Sequence, residues 1–413
     1  MGHIDTEPGA AGTAGTAGAP GAAGAASGGS GSEGGSGSDG GSARPEASRR
    51  DPGSTSAQLQ DWLITRLPEG SDPVVESVEV PESNGMSSET VLFDATWITD
   101  GVRERHELVA RIAPEASSVP VFQHYDLDAQ FRVMAKVREL CAVPVPEVHW
   151  LEEDHGPLAA PFFIMSRAVG LVPPDVMPYN FGDSWVFDAS DEDQRRLEES
   201  TIAALAELHG IEDPDRHFDF LASDAPGDTA LRRHVADLHS YYEWVISDGN
   251  RSPLIERAFD WMDEHWPVED TDEVLSWGDA RIGNTMYAEF EPVAVLDWEM
   301  AGLAPREVDL AWMVFLHRFF EDIATVMELP GMPAFLHRDR MVELYEAASG
   351  HAPRDMDFYT VYAALRHAVV MSQVQRRAIA FGQAEMPEDI DDLIMHRATL
   401  EEMLDGTYWS RVL

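Results

Sequence analysis

The chain has 413 residues, 44 % of them hydrophobic, and its 74 acidic against 29 basic side chains leave a formal charge of −45. A surface of that sign repels nucleic-acid phosphates and anionic membranes, and no apolar run reaches the roughly 18 residues of a membrane span, so neither partner is expected. Cys141 is the sole cysteine, which excludes a disulfide within the chain, and no basic-then-apolar leader follows Met1, so a cytoplasmic protein is expected.

Residues 1–56 are Gly, Ala, Ser, Thr and Pro with scattered acid. That composition cannot bury enough apolar surface to offset its ordering entropy, so a disordered tail is expected. Order should begin near Ser56, where Leu59, Trp62, Leu63 and Leu67 recur at helical spacing. Strands are predicted over 74–80, 90–97, 107–112, 147–151 and 162–165, with an amphipathic helix over 127–140 inserted among them. After Gly170 the apolar period becomes helical, over 191–208, 231–245 and 254–266. A short strand pair interrupts between Val274 and Asp297, and helices resume from Val308. The expected architecture is α+β: a small, mainly antiparallel lobe over 57–167, followed by a larger helical lobe over 168–413.

With so much acid, a single carboxylate says little; only carboxylates in a constrained pattern inform. The stretch Trp277-Gly278-Asp279-Ala280-Arg281-Ile282-Gly283-Asn284 supplies one, since Asp297 follows Asn284 after two short apolar runs broken at Glu291-Pro292. Such a break reads as a hairpin, which returns Asn284 and Asp297 to one end. Mg²⁺ takes hard oxygen ligands, commonly one or two carboxylates plus nucleotide phosphates. A separate carboxylate must orient an attacking hydroxyl and take its proton. In phosphoryl transfer, positioning and charge neutralisation dominate. Asp279 is therefore the candidate base, and Asn284 and Asp297 are candidate metal ligands.

These motifs resemble the catalytic segment of the aminoglycoside phosphotransferase family, relatives of protein kinases, whose pattern is His-Gly-Asp, four residues, Asn, then an apolar hairpin ending in Asp. Asp297-Trp298-Glu299 and Asp309-Leu310-Ala311-Trp312 match the family's continuation, and Asp309 is expected to cap its helix. Leu208-His209, the turn Val143–Pro146 and the stretch Pro161–Arg167 fit the same template. The resemblance runs over about residues 60–400. It implies a bilobal protein-kinase-like fold, Mg²⁺, ATP as donor with GTP left open, and a small hydroxylated acceptor. It places Met165 and Arg167 at the inter-lobe hinge beside adenine, and Ser87 in the loop over the phosphates.

Three positions depart from the family pattern. Arg111, in Leu108-Val109-Ala110-Arg111, stands where lysine is usual and can still bind phosphate bidentately. Gln130 stands where a helix glutamate normally pairs with that lysine, and Trp277 replaces the histidine before Gly-Asp. Arginine at the strand position is shared with the subgroup resembling kinase domains fused to acyl-CoA dehydrogenases. Arg281 is a candidate phosphate or acceptor contact or, equally, a partner in a structural ion pair; Arg366, His367, Arg376 and Arg377 lie where the family shapes its acceptor pocket, though they read first as a solvated helix face. Asp279, Asn284 and Asp297 together favour an active kinase of small molecules; Arg111, Gln130 and Trp277 are the support for a nucleotide-binding pseudokinase. The family's acceptors include aminoglycosides, choline, sugars, homoserine and hydroxyacyl compounds, and the resemblance to the acyl-CoA dehydrogenase-linked subgroup makes a hydroxyacyl or CoA-linked alcohol a runner-up without settling the choice.

Overall fold

A computed structural model describes residues 50–81, 88–114, 119–175, 178–268 and 272–412. The N-terminal lobe is a five-stranded antiparallel sheet in the order β1-β2-β3-β5-β4. Its strands are β1 (Val74–Glu79), β2 (Glu89–Thr99), β3 (Val102–Ile112), β4 (Val148–Glu152) and β5 (Phe162–Ser166). The alternation of β2 and β5 supplies the two faces. Val91, Phe93, Ala95, Phe162 and Ile164 pack on Leu59, Trp62 and Leu63 of α1 (Pro52–Arg66). Val109, Phe163 and Met165 face the other way, into the main core with Val133, Met134 and Val137 of α2 (Leu127–Leu140).

Two boundaries differ from the sequence reading by four residues or more, each for a polar reason. The first helix starts at Pro52, ahead of Ser56, because Asp51 accepts a hydrogen bond from the Ser54 N–H at 2.7 Å and proline stands in the first turn. Arg50 ties this end to the sheet through Glu89 (2.6 Å) and the Leu158 carbonyl (2.7 Å). Strand β3 starts five residues before Glu107; the added stretch carries Arg103, Glu104 and Arg105 on an exposed edge, so no apolar pattern marks it. It is joined to β2 by a two-residue turn, Asp100-Gly101, with φ of 51° and 80°.

The C-terminal lobe holds α3 (Asp191–His209), α4 (Pro214–His217), α5 (Ala230–Val245), α6 (Pro253–Glu264), α7 (Arg306–Val326), α8 (Arg338–Ser349), α9 (Met356–Ala380), α10 (Arg397–Leu404) and α11 (Trp409–Val412). α7 and α9 are buried along most of their length and form its centre. Two small antiparallel pairs sit between α6 and α7. One joins β6 (Glu273–Ser276) to β9 (Gly302–Pro305); the other joins β7 (Thr285–Ala288) to β8 (Glu291–Val295). The hairpin turn falls at Glu289-Phe290, both left-handed (φ 50° and 64°), and Glu291 and Pro292 lie inside β8. Among the described residues no helix is long and apolar enough to cross a membrane.

Candidate active site

The segment between β6 and β7 is held from below by one buried carboxylate. Asp309, in the first turn of α7, accepts from the N–H groups of Trp277 (2.7 Å) and Gly278 (2.9 Å), from the Ser276 hydroxyl (2.8 Å) and from His209 Nε2 (3.0 Å). The expected helix cap is therefore corrected: no side chain caps α7, and Asp309 serves the loop instead. The loop's N–H groups point inward there and would otherwise be buried without partners. Burial alone would raise the Asp309 carboxyl, but the bond and charge of His209, with Ser276 and the Gly278 N–H, hold it below its ordinary value. His209 is itself fixed by the Tyr345 hydroxyl, 2.8 Å from Nδ1. Gly278 is left-handed (φ 88°), and a Cβ there would overlap the Met300 carbonyl, so this turn requires glycine.

The loop presents Asp279 with both carboxylate oxygens engaged. Oδ1 accepts from Trp312 Nε1 at 2.7 Å, and Oδ2 from Asn284 Nδ2 at 2.7 Å. Arg281 Nε sits 3.2 and 3.1 Å from the two oxygens. The Asn284 amide nitrogen also donates to the Asp279 carbonyl (3.2 Å), so its side-chain carbonyl is the end left to face a cation. Trp277, which stands in place of a histidine, is buried and donates to the Leu296 carbonyl at 2.8 Å. That bond ties the loop to the residue before Asp297.

The hairpin does what its sequence implied. Thr285 pairs with Val295, and the Leu296 N–H donates to the Asn284 carbonyl at 2.8 Å, so Asn284 and Asp297 lie at the same end. Asp297 adopts a left-handed backbone, φ 58°, which Asp tolerates better than most residues and which Asp72, Asp100, Asp213 and Asp355 share. Burial raises its carboxyl above the ordinary value; Arg111 pulls it down and Asp279 pushes it further up. Arg111 reaches across from β3, donating to Asp297 Oδ1 at 3.2 Å and to the Thr90 hydroxyl at 3.3 Å.

The other expected positions are distributed around this cluster. Gln130 is buried on α2, and Met165 is buried opposite Val109 in the sheet. Arg167 turns its Nη2 to Asp94 (2.7 Å) and the Phe93 carbonyl (3.0 Å) of β2. Ser87 lies outside the described residues. Arg366 and His367 belong to the interior of the helical lobe. Arg366 donates to the Gly278 carbonyl at 3.0 Å and lies over the Trp312 ring, while His367 abuts His396. Arg376 bonds Asp248 and the Asn250 carbonyl, and Arg377 lies over the Phe381 ring. Two members of the cluster were missed. Trp312 sits in a stretch that the sequence marks only as a helix start; Asp175, bound to Arg281 across 106 residues, has no local signal at all.

A model of the phosphotransferase enzyme family (APH) matches residues 87–344, well over half of the chain. The chain belongs to this family. Two relatives carry acyl-CoA dehydrogenase names. One, from Arabidopsis thaliana and provisionally named as the acyl-CoA dehydrogenase IBR3, is 25 % identical over 61 % of this chain and 31 % of its own length. The other, acyl-CoA dehydrogenase family member 10 of Mus musculus, is 23 % identical over 67 % of this chain and 25 % of its own. The chain thus spans a third or less of these relatives. Among solved structures, a Ralstonia eutropha protein described provisionally as an aminoglycoside phosphotransferase has a TM-score of 0.60 at 21 % identity, covering 86 % of this chain and 98 % of its own. The GDP complex of an aminoglycoside 2′-phosphotransferase-IIIa mutant has a TM-score of 0.53 at 14 % identity, covering 87 % and all of its own chain. These phosphotransferases share the fold: an antiparallel N-terminal sheet over a mostly helical lobe.

Proposed function

We propose that this family member transfers the γ-phosphoryl group of ATP to a hydroxyl of a small molecule, with Asp279 as base. The observation that carries the reading is the meeting of Asp279, Asn284, Asp297 and Arg111 where the lobes face each other, on elements up to 186 residues apart in the chain. A carboxylate offers about four lone-pair positions. Trp312, Asn284 and the Arg281 N–H shared between the two oxygens all lean on those of Asp279. The acceptor hydroxyl would share one oxygen with the long Arg281 contact, its proton passing to Asp279 as its oxygen bonds to phosphorus and the bond to the ADP oxygen breaks.

The donor set fits Mg²⁺. One carboxylate, Asp297, and the side-chain carbonyl of Asn284 are hard oxygens, and phosphate and water would complete the shell. Bound there, the ion would neutralise charge on the β- and γ-phosphates. Arg111 is the phosphate-facing cation from the sheet, and its fork suits a bidentate contact once it leaves Asp297. The solved neighbour bound to GDP keeps a guanine nucleotide open as donor.

A nucleotide-binding module without turnover is the second reading. Its support is Arg111, which closes on the very carboxylate that a metal would need. The two readings part in one assay, Mg-ATP turnover over a panel of hydroxylated acceptors: sugars, aminoglycosides, choline-like alcohols and hydroxyacyl compounds. Acceptor-stimulated ADP release that disappears in Asp279→Ala, with nucleotide still stabilising the variant against heat, is expected. Turnover that survives Asp279→Ala removes Asp279 as the base.

A further inference from the structure

Arg281 is an expensive residue to keep where it stands. Its side chain is buried, with Nε on the Asp279 carboxylate and Nη1 on Asp175. Burial alone would lower its pKa; the charges of Asp175 and Asp279, with their hydrogen bonds, hold it above its ordinary value. Asp175 comes from the segment linking the lobes and is buried as well, and among the described residues its Oδ1 has no hydrogen-bond partner. A buried ion pair with one oxygen unsatisfied does not repay its desolvation in stability, and well-packed apolar side chains commonly do as well or better. The backbone has also been shaped around the pair: a Cβ on Gly283 would collide with both Arg281 Nη1 and Asp175 Oδ1. Gly283 has no positive φ, so it is the space, not the conformation, that calls for glycine there.

We propose that Asp175 is a positioning residue for the phosphoryl transfer, acting through Arg281. The inference rests on the reading of Asp279 as base. With Nη1 anchored on Asp175, the guanidinium cannot rotate, and its Nε stays between the two oxygens of Asp279. Trp312 and Asn284 bond those oxygens from either side. The carboxylate is then fixed in plane as well as in place, and misplacing a reacting group by about an ångström can cost about a hundredfold in rate. Asp175 itself touches Arg281 and need not contact either substrate.

Trp312 provides a reporter that needs no substrate, since its indole N–H donates directly to Asp279. In protein labelled with ¹⁵N at the tryptophan indoles, the Trp312 resonance is assigned by its loss in Trp312→Phe. Asp175→Asn is expected to move that resonance selectively, leaving the indoles of Trp62, Trp97 and Trp150 in the N-terminal sheet unchanged. Gly283→Ala, which crowds the pair without removing a charge, should move it too. In turnover, Asp175→Asn should lower kcat by about tenfold to a hundredfold with the KM for nucleotide unchanged. A folded Asp175→Asn protein whose Trp312 resonance stays in place overturns the proposal, as does a shifted resonance with kcat intact. If the native protein turns over no acceptor, the reading of Asp279 as base fails, while a selective Trp312 shift still supports Asp175 as the anchor of that carboxylate.

Discussion

The outer surface of the N-terminal sheet and the ground beneath the Asp279 loop use charge in opposite ways. On the N-terminal sheet, ion pairs decorate a surface that apolar alternation has already built: Arg103 with Asp72 at 2.6 Å, and Arg105 with Asp94 at 2.9 Å, each with at least one partner well exposed. The helical lobe has exposed pairs of the same kind, such as Arg257 with Asp405, but around the loop that carries Asp279 its charges are inside. His209 and Asp309 are fully buried, and Asp175 and Arg281 nearly so. Exposed pairs contribute little because water screens them and long side chains lose freedom in making them. Buried groups earn their place by direction, since each fixes a backbone or a partner that chemistry requires. Where the fold only has to hold, apolar pattern suffices; where atoms must be aimed, buried polar groups do the aiming.

The largest effect should come from removing the carboxylate under the loop. Asp309→Ala leaves two N–H groups, a hydroxyl and His209 without their acceptor, and should cost about 3–5 kcal/mol by urea unfolding. In the same assay Arg103→Ala on the sheet should cost no more than about 1 kcal/mol. Equal costs for the two would erase the contrast between the sheet surface and the buried support of the loop.

A smaller and graded effect should follow pH. Burial lowers the pKa of His234 and His317 to about 3 and that of His396 to about 4, and that of His367 falls well below its ordinary value. All four belong to the helical lobe and stay neutral when folded, whereas the unfolded chain takes up their protons near pH 6.5. Their contribution is therefore complete above about pH 6.5 and is lost as pH falls from there toward the folded values. The limiting slope is about 1.4 kcal/mol per histidine per pH unit. Urea midpoints at pH 7.5, 6 and 5 should fall steadily, with proton uptake on unfolding; a flat profile would mean that these histidines are not held neutral.

How much of this could be read beforehand follows from distance along the chain. Asp279, Asn284 and Asp297 lie within one short segment, and the hairpin between them is a local feature, so spacing alone brought them together. The turn itself was misplaced by two residues, because proline signals a break and Glu289-Phe290 carry none of the usual residues for a left-handed turn. Arg111 was marked by its strand, yet its bond to Asp297 spans 186 residues and is set by how the lobes close. Asp175 was invisible: one carboxylate among 74 acids, meaningful only because Arg281 arrives beside it. Arg366 and His367 were read as a solvated helix face, with the acceptor pocket as the alternative. They are interior because α9 runs through the middle of its lobe, touching α5, α6, α7 and α10.

The most direct test of the central claim is calorimetric titration of ATP, with and without Mg²⁺, into the native protein, Asp279→Ala and Asp297→Asn. The account predicts that Mg²⁺ tightens ATP binding by about tenfold or more, that Asp279→Ala keeps this gain and that Asp297→Asn loses it. An Asp297→Asn protein that retains the full Mg²⁺ gain would contradict it.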